Sequence, residues 1–348
     1  MSTALIVLAA LLAVGLACEA LARRRDRARW PHPGKQIDVG GHGLHVRTYG
    51  EGDLPVVFEA DEGAWSTHWG KLPEDLGAVQ PTVAYDRAGL GWSEPGPPPR
   101  DAETLARELH QLLARLHPGK PAVLVGHGTG AHVLRAYAHR YPFETAGLVL
   151  VDPRHDGLVD RLRREQIPTA APSAFALRAH GLLASLGVLR LIGNFSSSNG
   201  HLPLPERQRL LLDALELDPR VRAGAADELA AEPQSLEYLS GLGGTAVDVP
   251  MRVLVSTDTL GEGDVPPSFP RHEYNRIWAE ESARFLDLSR RAQRVLVEGS
   301  SHQLHLERPD VVAQAILDVV DEARELSARR ADETSLPSPA RGELEERA

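Results

Sequence analysis

The alternation of short apolar runs with helical stretches is the feature that most restricts the fold of this 348-residue chain. Buried strands that alternate with amphipathic helices are typical of a mostly parallel sheet covered on both faces. Two further runs flank Gly40-Gly41 and predict an antiparallel hairpin at the sheet edge, which gives an α/β fold with eight strands. The predicted strands are Lys35–Val39, Leu44–Thr48, Val56–Glu59, Thr82–Tyr85, Ala122–Val125, Leu148–Val151, Arg252–Val255 and Arg294–Val297.

About a hundred residues between Val151 and Arg252 contain no convincing strand. Leucines between positions 182 and 215 predict helices there, and a structureless loop of that length is uncommon in a compact domain. We therefore expect residues 33–152 and 250–325 to form the core. Residues 153–249 are predicted to form a helical cap, packed as a lid over the strand ends.

Both chain ends differ in composition from the middle. Residues Ala4–Cys18 are uncharged and almost wholly apolar, close to the lower limit for a membrane-spanning helix, and five arginines follow by Arg29. We predict a single-pass anchor over residues 1–30, with the arginine side and the globular domain in the cytoplasm. The alternative is a cleaved signal peptide and an extracytoplasmic domain. Residues 326–348 are polar and predict a disordered tail.

Charge and cysteine content exclude several classes of protein. The 38 Lys and Arg against 48 Asp and Glu give a net charge of −10, whereas nucleic-acid binding usually needs a basic surface. The single cysteine, Cys18, excludes an internal disulfide framework and a cysteine-rich zinc site. We expect a small molecule as substrate or ligand, with no nucleic acid, metal or cofactor.

One glycine-rich segment stands where chemistry is expected. The run Val125–Gly130 reads VGHGTG and lies between a predicted strand and the predicted helix His132–Arg140. Strand, tight turn and helix are the setting of the G-x-S-x-G motif, whose central serine is a nucleophile. Here the central residue is Gly128. It has no side chain and cannot attack a carbonyl.

The chain resembles α/β-hydrolase-fold proteins of the membrane-anchored bacterial type. The resemblance implies hydrolysis of ester- or amide-type bonds in small or lipid-like substrates, without a cofactor. The matching segments run in family order across roughly residues 33 to 325: Pro33-Gly34 with Val39-Gly40-Gly41, Tyr85–Ser93 (YDRAGLGWS), Gly126–Gly130, Leu148–Asp152 and Gly299–His302.

The resemblance also implies roles for individual residues. His302 stands where the general base belongs, and it would move a proton between a hydroxyl and the leaving group. Some family members keep the acid that orients this histidine at the position of Asp152. In others it follows the next strand, where Asp258 and Asp264 are the candidates, so three aspartates remain open for this role.

Two backbone N–H groups would form the oxyanion hole, the site that stabilises a developing negative charge. One belongs to Thr129, and the other to the loop after Val56–Glu59. That loop carries Asp61 and Glu62, whose negative charges are unfavourable for an oxyanion.

The missing serine therefore leaves two interpretations. A hydrolase could retain altered activity, for instance through a water activated by His302, because Gly128 leaves space for one. Alternatively the chain is a pseudo-hydrolase that binds a small apolar ligand at the membrane and breaks no bond.

Overall fold

Eight strands form one sheet in a computed structural model that describes residues 3–169, 173–191, 202–243 and 247–335. The strands are β1 (Lys35–Asp38), β2 (Gly43–Tyr49), β3 (Val56–Glu59), β4 (Thr82–Tyr85), β5 (Ala122–His127), β6 (Thr145–Val151), β7 (Met251–Ser256) and β8 (Ala292–Val297). Their spatial order is β1-β2-β4-β3-β5-β6-β7-β8. The hairpin β1–β2 pairs antiparallel, and the other six strands are parallel. This confirms the predicted fold class.

Helices cover both faces of the sheet. In the described residues they are α1 (Thr3–Arg29), α2 (Leu72–Leu76), α3 (Ala102–Leu116), α4 (Gly130–Arg140), α5 (Leu158–Arg164), α6 (Ala174–Ser185), α7 (Val188–Leu191), α8 (Glu206–Glu216), α9 (Pro219–Ala230), α10 (Glu232–Gly241), α11 (Arg271–Ala283), α12 (Leu304–Glu307) and α13 (Pro309–Ser335). Because side chains alternate along β5, Leu124 packs with α3 and α4, whereas Val123 and Val125 pack with α2 and α13.

The segment predicted as a cap contains α5 to α10, between β6 and β7. Its helices α8 and α9 bury Leu212 and Val221 against Trp65 and Leu90, which belong to the loops after β3 and β4. Those loops follow the carboxyl ends of their strands. The cap therefore lies on the edge of the sheet where the parallel strands end.

The terminal helix differs from the expectation of a tail that begins at residue 326. Helix α13 continues to Ser335, and its exposed last turns include an i,i+4 pair between Glu325 and Arg329. Such pairs stabilise a solvated helix that has no apolar face to bury. The remainder of the predicted tail, residues 336–348, lies outside the described residues.

Helix α1 is long and apolar enough to cross a membrane, and 6% of its most apolar window is buried against the rest of the chain. A signal sequence passes the same test of length and composition. The carboxyl-terminal half of α1 contacts the cap, where Arg190 of α7 donates hydrogen bonds to Glu19 and Asp26, each at 2.7 Å. The fold therefore joins α1 to the cap through partly buried charge pairs.

Candidate active site

Four loops meet at the carboxyl edge of the sheet. They follow β3, β5, β6 and β8, and they carry Asp61, Gly128, Asp152 and His302 respectively. Parallel strands bring the loops that follow them to the same edge. These four sequence-predicted positions therefore lie together.

Gly128 forms the turn between β5 and α4. Its φ of +52° is in the left-handed region, which glycine enters at no steric cost. The turn is fixed by its own backbone, since Gly128 N–H donates to Val151 at 3.1 Å and its carbonyl accepts from Arg154 N–H at 3.0 Å. A β-carbon built at Gly128 would overlap the carboxylate of Asp61. Both the backbone conformation and the neighbouring side chain thus favour glycine.

The Asp61 carboxylate occupies the position of the expected oxyanion. Its Oδ1 accepts hydrogen bonds from the backbone N–H of Thr129 at 2.7 Å and of Glu62 at 2.8 Å, and from the Thr129 hydroxyl at 2.9 Å. The two N–H groups belong to the residue after Gly128 and to the loop after β3, which are the two segments implied for an oxyanion hole. The space beside Gly128, which we expected to admit a water, is filled by this carboxylate.

His302 lies between two carboxylates. Its Nδ1 contacts Asp152 Oδ2 at 2.8 Å, and its Nε2 contacts Asp61 Oδ2 at 3.0 Å. Burial alone would lower the pKa of His302, but the hydrogen bonds and charges of Asp152 and Asp61 raise it to about 10. Burial would likewise raise the pKa of Asp61, yet His302 holds it well below its usual range. At neutral pH the group is an imidazolium between two carboxylates.

Of the three aspartates considered as the orienting acid, Asp152 is the one that contacts His302. It is buried, and its φ of +42° is a strained conformation for a residue other than glycine. Its Oδ1 accepts from the backbone N–H of Ser256 at 3.0 Å and from the Ser256 hydroxyl at 2.8 Å. Asp258 instead accepts from Arg271 and Asn275, and Asp264 accepts from Gly261 N–H within its own loop.

Arg87 positions the loop that carries Asp61. This buried guanidinium donates to the carbonyls of Ala60 and Asp61, each at 2.7 Å, and pairs with Glu228 of α9 through contacts of 2.6 and 2.8 Å. Glu228 also accepts from Gly63 N–H at 3.1 Å. The sequence reasoning missed this role: Arg87 lies in the quoted YDRAGLGWS segment, but no sequence signal connects it to Glu228.

The carboxyl group of Glu62 lies 3.9 Å from the guanidinium of Arg154. Burial raises the pKa of Glu62 to about 8, against the lowering effect of Arg154 and with help from Glu232. The side chain is therefore largely protonated at neutral pH. Glu62 therefore adds little negative charge beside Asp61. Of these two carboxyl groups in the loop after β3, Asp61 is the ionised one.

Two aromatic rings pack against the imidazole of His302. The ring of His127 lies 4.4 Å from that of His302, and Trp278 meets it edge-on at 5.4 Å. Burial, together with the charge of His302, lowers the pKa of His127 to about 4, and its Nε2 lies 2.8 Å from the His302 carbonyl. A neutral His127 leaves His302 as the charged member of this pair.

Asp61, His127 and His302 also form a group that could hold a metal ion, because each offers one donor atom within 4.8 Å of the others. The donor set fits a cation poorly as it stands. Both nitrogens of His302 already contact carboxylates, and a metal on Nε2 would have to displace the imidazolium proton.

The arrangement can supply one carboxylate, one proton and one anion-binding pair of N–H groups. The Asp61 and His302 side chains are 24% and 21% exposed, so both remain partly accessible to solvent. Because the pKa of His302 is raised to about 10, this histidine holds a proton at neutral pH, and the arrangement can supply an acid.

Comparison with known proteins agrees with the fold described above. The chain is similar to a thermophilic esterase from Thermogutta terrifontis, with a TM-score of 0.58 and 22% identity over 83% of this chain and 99% of that one. It is also similar to the epoxide hydrolase CorEH, with a TM-score of 0.57 and 17% identity over 82% and 97% of the two chains. At these identities the likeness concerns the fold alone.

Curated relatives match only in part. An uncharacterized protein of Bacillus subtilis strain 168, YqjL, is 31% identical over 120 residues, which are 34% of this chain and 47% of that protein. The chain spans less than half of the length of the curated relatives it matches. The sequence profile of the alpha/beta hydrolase family covers far more, residues 42–315. With the eight-stranded, mostly parallel sheet and this match in agreement, the chain belongs to the alpha/beta hydrolase family.

Proposed function

We propose that this protein is a hydrolase of small or lipid-like substrates that does not use serine acyl transfer. Asp61, His302 and Asp152 supply its reacting groups. One observation carries the proposal: the Asp61 carboxylate is bound by the N–H groups of Thr129 and Glu62 and is hydrogen-bonded to His302, which Asp152 orients. In this arrangement Asp61 would be the nucleophile, His302 would carry the proton, and Asp152 would orient His302. A carboxylate thus takes the place of the serine hydroxyl.

The missing side chain at Gly128 removes the usual attacking group, but it does not leave the position empty. Replacement of serine by glycine admits the Asp61 carboxylate, which a β-carbon at 128 would exclude. The strained φ of Asp152 supports a functional site as well, since such strain persists only where the surroundings impose it. Loss of function alone would not preserve either feature.

A membrane location fits this substrate class. The arginines at the carboxyl-terminal end of helix α1 favour a single-pass anchor with the globular domain in the cytoplasm. Beside α1, helix α6 of the cap exposes Phe175 and Leu182, which are 82% and 62% accessible. An apolar cap surface next to a spanning helix would lie at the bilayer, and a lipid-like substrate would reach the cap from there.

The second candidate function is ligand binding without catalysis. It is favoured by the fact that both Asp61 and His302 are satisfied by each other, so that the resting site holds neither a free base nor a vacant oxyanion hole. A protein of this kind would bind an apolar ligand under the cap and release it unchanged.

Turnover by the full-length protein in detergent separates the two candidates. We would assay a medium-chain ester, an amide and a terminal alkyl epoxide, 1,2-epoxyoctane, for the native protein and for Asp61→Asn and His302→Gln. The proposal expects hydrolysis of at least one substrate, loss in both variants, and no labelling of the native protein by a fluorophosphonate.

Asp258→Asn is the matched control, because it neutralises an aspartate that pairs with Arg271 away from His302. Absence of native turnover, together with a rise in melting temperature when fatty acid or alkane-diol is added, would establish the binding candidate instead. Fluorophosphonate labelling of any serine would contradict both.

A further inference from the structure

We propose that the cap is partly embedded in the membrane: the turn between α6 and α7 lies among the acyl chains of the leaflet next to the globular domain, packed against α1. This inference rests on the single-pass anchor of the proposed function. It adds a second contact with the bilayer, at a depth that α1 fixes. The test of this contact is independent of any turnover assay, because the contact does not involve the chemistry of Asp61 and His302.

One face of α1 is shielded by the rest of the chain. Gly15, Glu19, Ala22 and Asp26 are fully or partly buried, and their spacing of i, i+4, i+7 and i+11 places them along one stripe of the helix. Apart from Arg23, which is partly buried beside this stripe, the other positions from 9 to 29 are exposed. Helix α1 therefore meets the cap along a narrow strip.

Gly15 and the turn between α6 and α7 are in direct backbone contact. A β-carbon at Gly15 would overlap the carbonyl of Leu186, and one at Gly187 would lie 2.8 Å from the carbonyl oxygen of Gly15. Small residues allow this close approach where helices pack inside membranes. The turn therefore lies at the level of Gly15 along α1.

The length of α1 determines how deep this turn would lie. A helix needs about 20 apolar residues to cross a hydrocarbon core of about 30 Å, and α1 supplies a stretch of that length only from Thr3 to Ala22. Arg23 then marks the level of the headgroups. Gly15 precedes Arg23 by about 12 Å along the helix axis, at 1.5 Å per residue. A turn at the level of Gly15 is thus inside the acyl region.

Donors at the turn find partners within the cap itself. The backbone N–H groups of Leu186 and Gly187 donate to carbonyls of α6 at 3.1 and 2.9 Å, and the Ser185 hydroxyl donates to the carbonyl of Gly181 at 3.0 Å. The hydrocarbon region has no water to supply partners, so internal pairing of this kind is what it requires.

Leucine side chains are exposed beside the turn. Leu182 and Leu183, in the last turn of α6, are 62% and 39% accessible, and Leu186 and Val188 are half-buried. Acyl chains would cover these side chains, and removal of apolar surface from water is favourable. The composition of the turn therefore fits the depth that α1 predicts.

The pairing of Glu19 gives a second, independent argument. Glu19 interrupts the apolar stretch of α1, about 6 Å inside the level of Arg23 along the helix. An ionised side chain at that depth is costly unless it has a partner. Glu19 is buried, and Arg190 of α7 donates to it at 2.7 Å. The cap thus supplies the partner that allows an acidic residue in the apolar stretch, and it can do so only if α7 enters the bilayer beside α1.

Fluorescence quenching in vesicles tests the depth of the turn. Cys18 is the only cysteine of the chain, so Cys18→Ser gives a background for single labelling sites. The fluorophore NBD would be attached through Leu182→Cys, with Leu11→Cys as the reference on α1 and Phe143→Cys as the control. Phe143 is also exposed but lies outside α1 and the cap. The full-length protein would be reconstituted in vesicles of phosphatidylcholine and phosphatidylglycerol.

The quencher is a phosphatidylcholine with a nitroxide midway along one acyl chain. Labels at 182 and 11 should lose most of their fluorescence to this lipid, and the label at 143 should keep its fluorescence. A nitroxide on the headgroup should quench the label at 182 less than the acyl nitroxide does. Quenching at 11 without quenching at 182 would overturn the inference and leave the anchor in place. Quenching at neither position would remove the anchor as well.

Arg190→Gln tests whether docking on α1 sets this depth. The variant removes the partner of Glu19 and Asp26, so the label at 182 should be quenched less, whereas the label at 11 should be quenched as before. Arg178→Gln is the matched control, because Arg178 of α6 pairs with Asp227 inside the cap at 3.1 Å. Unchanged quenching at 182 in Arg190→Gln would contradict the role assigned to α1.

Discussion

The carboxylate of Asp61 lies where the side chain of residue 128 would have to begin, so the observed orientation of Asp61 requires glycine at 128. Asp61 supplies the negative charge that His302 faces, and Gly128 supplies the space for it. The first prediction follows from this steric and electrostatic relationship.

Gly128→Ser alone should destabilise the protein without creating a serine hydrolase. The left-handed backbone costs roughly 1–3 kcal/mol for a side chain, and overlap with Asp61 adds to it. Gly119→Ser is the control for strain alone, since its φ is +71° and a β-carbon there meets nothing within 4 Å. Thermal unfolding should rank Gly128→Ser below Gly119→Ser; equal melting temperatures would contradict the overlap.

The double variant Asp61→Gly with Gly128→Ser should recover part of that stability and become reactive. With the Asp61 carboxylate removed, the Thr129 and Glu62 N–H groups are vacant, and the introduced hydroxyl would face His302. We expect a fluorophosphonate to label the introduced serine in the double variant and to leave the single variant Gly128→Ser unlabelled. A folded, unlabelled double variant would mean that these N–H groups and His302 cannot support acyl transfer.

The pH dependence of turnover, on whichever assay substrate the protein hydrolyses, should identify His302 as an acid. Because its pKa is raised to about 10, His302 is protonated at neutral pH, and the rate should stay level until it falls near pH 10. On the acid side the rate should fall only below the usual range of an aspartate, because the pKa of Asp61 is lowered. A rate that instead rises through neutral pH would indicate a histidine that acts first as a base.

Glu228→Gln should lower kcat more than it changes KM. The substitution weakens the pair with Arg87, which holds the carbonyls of Ala60 and Asp61. Glu108→Gln is the matched control because it weakens another buried Arg–Glu pair, with Arg100 at 2.6 Å. Each should cost roughly 1–3 kcal/mol of unfolding free energy. Only Glu228→Gln should impair turnover. An equal loss of turnover in both variants would mean that Glu228 only stabilises the fold.

Glu62→Gln should change how stability depends on pH. The pKa of Glu62 is raised to about 8 from an ordinary value of 4.5, so between these values the folded chain binds a proton that the unfolded chain has released. Stability should therefore fall as pH rises from about 5 to 8, and the neutral glutamine should lack this contribution. Denaturant unfolding at pH 5 and pH 8 would show a smaller difference in Glu62→Gln than in the native protein.

Arginine substitutions at Leu11 and Leu12 should release the protein from membranes. Both side chains are exposed on α1, and charges at the centre of a spanning helix cost about 2.5–3.5 kcal/mol each by insertion scales. Phe143→Arg is the control, because Phe143 is 96% exposed but lies outside α1. Membrane pelleting should retain the control and lose the double variant; retention of both would argue against the anchor.

The fold could be predicted from the sequence because apolar periodicity and turn residues determine strands, helices and turns within short segments. Strands β3 and β4 begin and end where the apolar runs do. Strand β5 continues two residues further than its run, since Gly126 and His127 pair with Leu150 and Val151 through backbone groups that ignore side-chain polarity.

The site was less accessible to sequence reasoning because its decisive contacts join distant segments. Spacing alone shows that Asp152, Asp258 and Asp264 each follow a strand, but not which of them turns toward His302. The sequence did show a negative charge at Asp61, in the loop expected to contribute to the oxyanion hole. Its placement depends on Arg87 and on Glu228, 141 residues further along the chain, and no local pattern specifies that pairing.

Overlap at position 128 also constrains how such a site could arise from a serine-bearing ancestor. In its observed orientation the Asp61 carboxylate overlaps any β-carbon at 128, so a serine-bearing ancestor would need another residue at 61 or another rotamer of the aspartate. A single substitution at 128 therefore would not convert one arrangement into the other, because the side chain at 61 has to change or move with it.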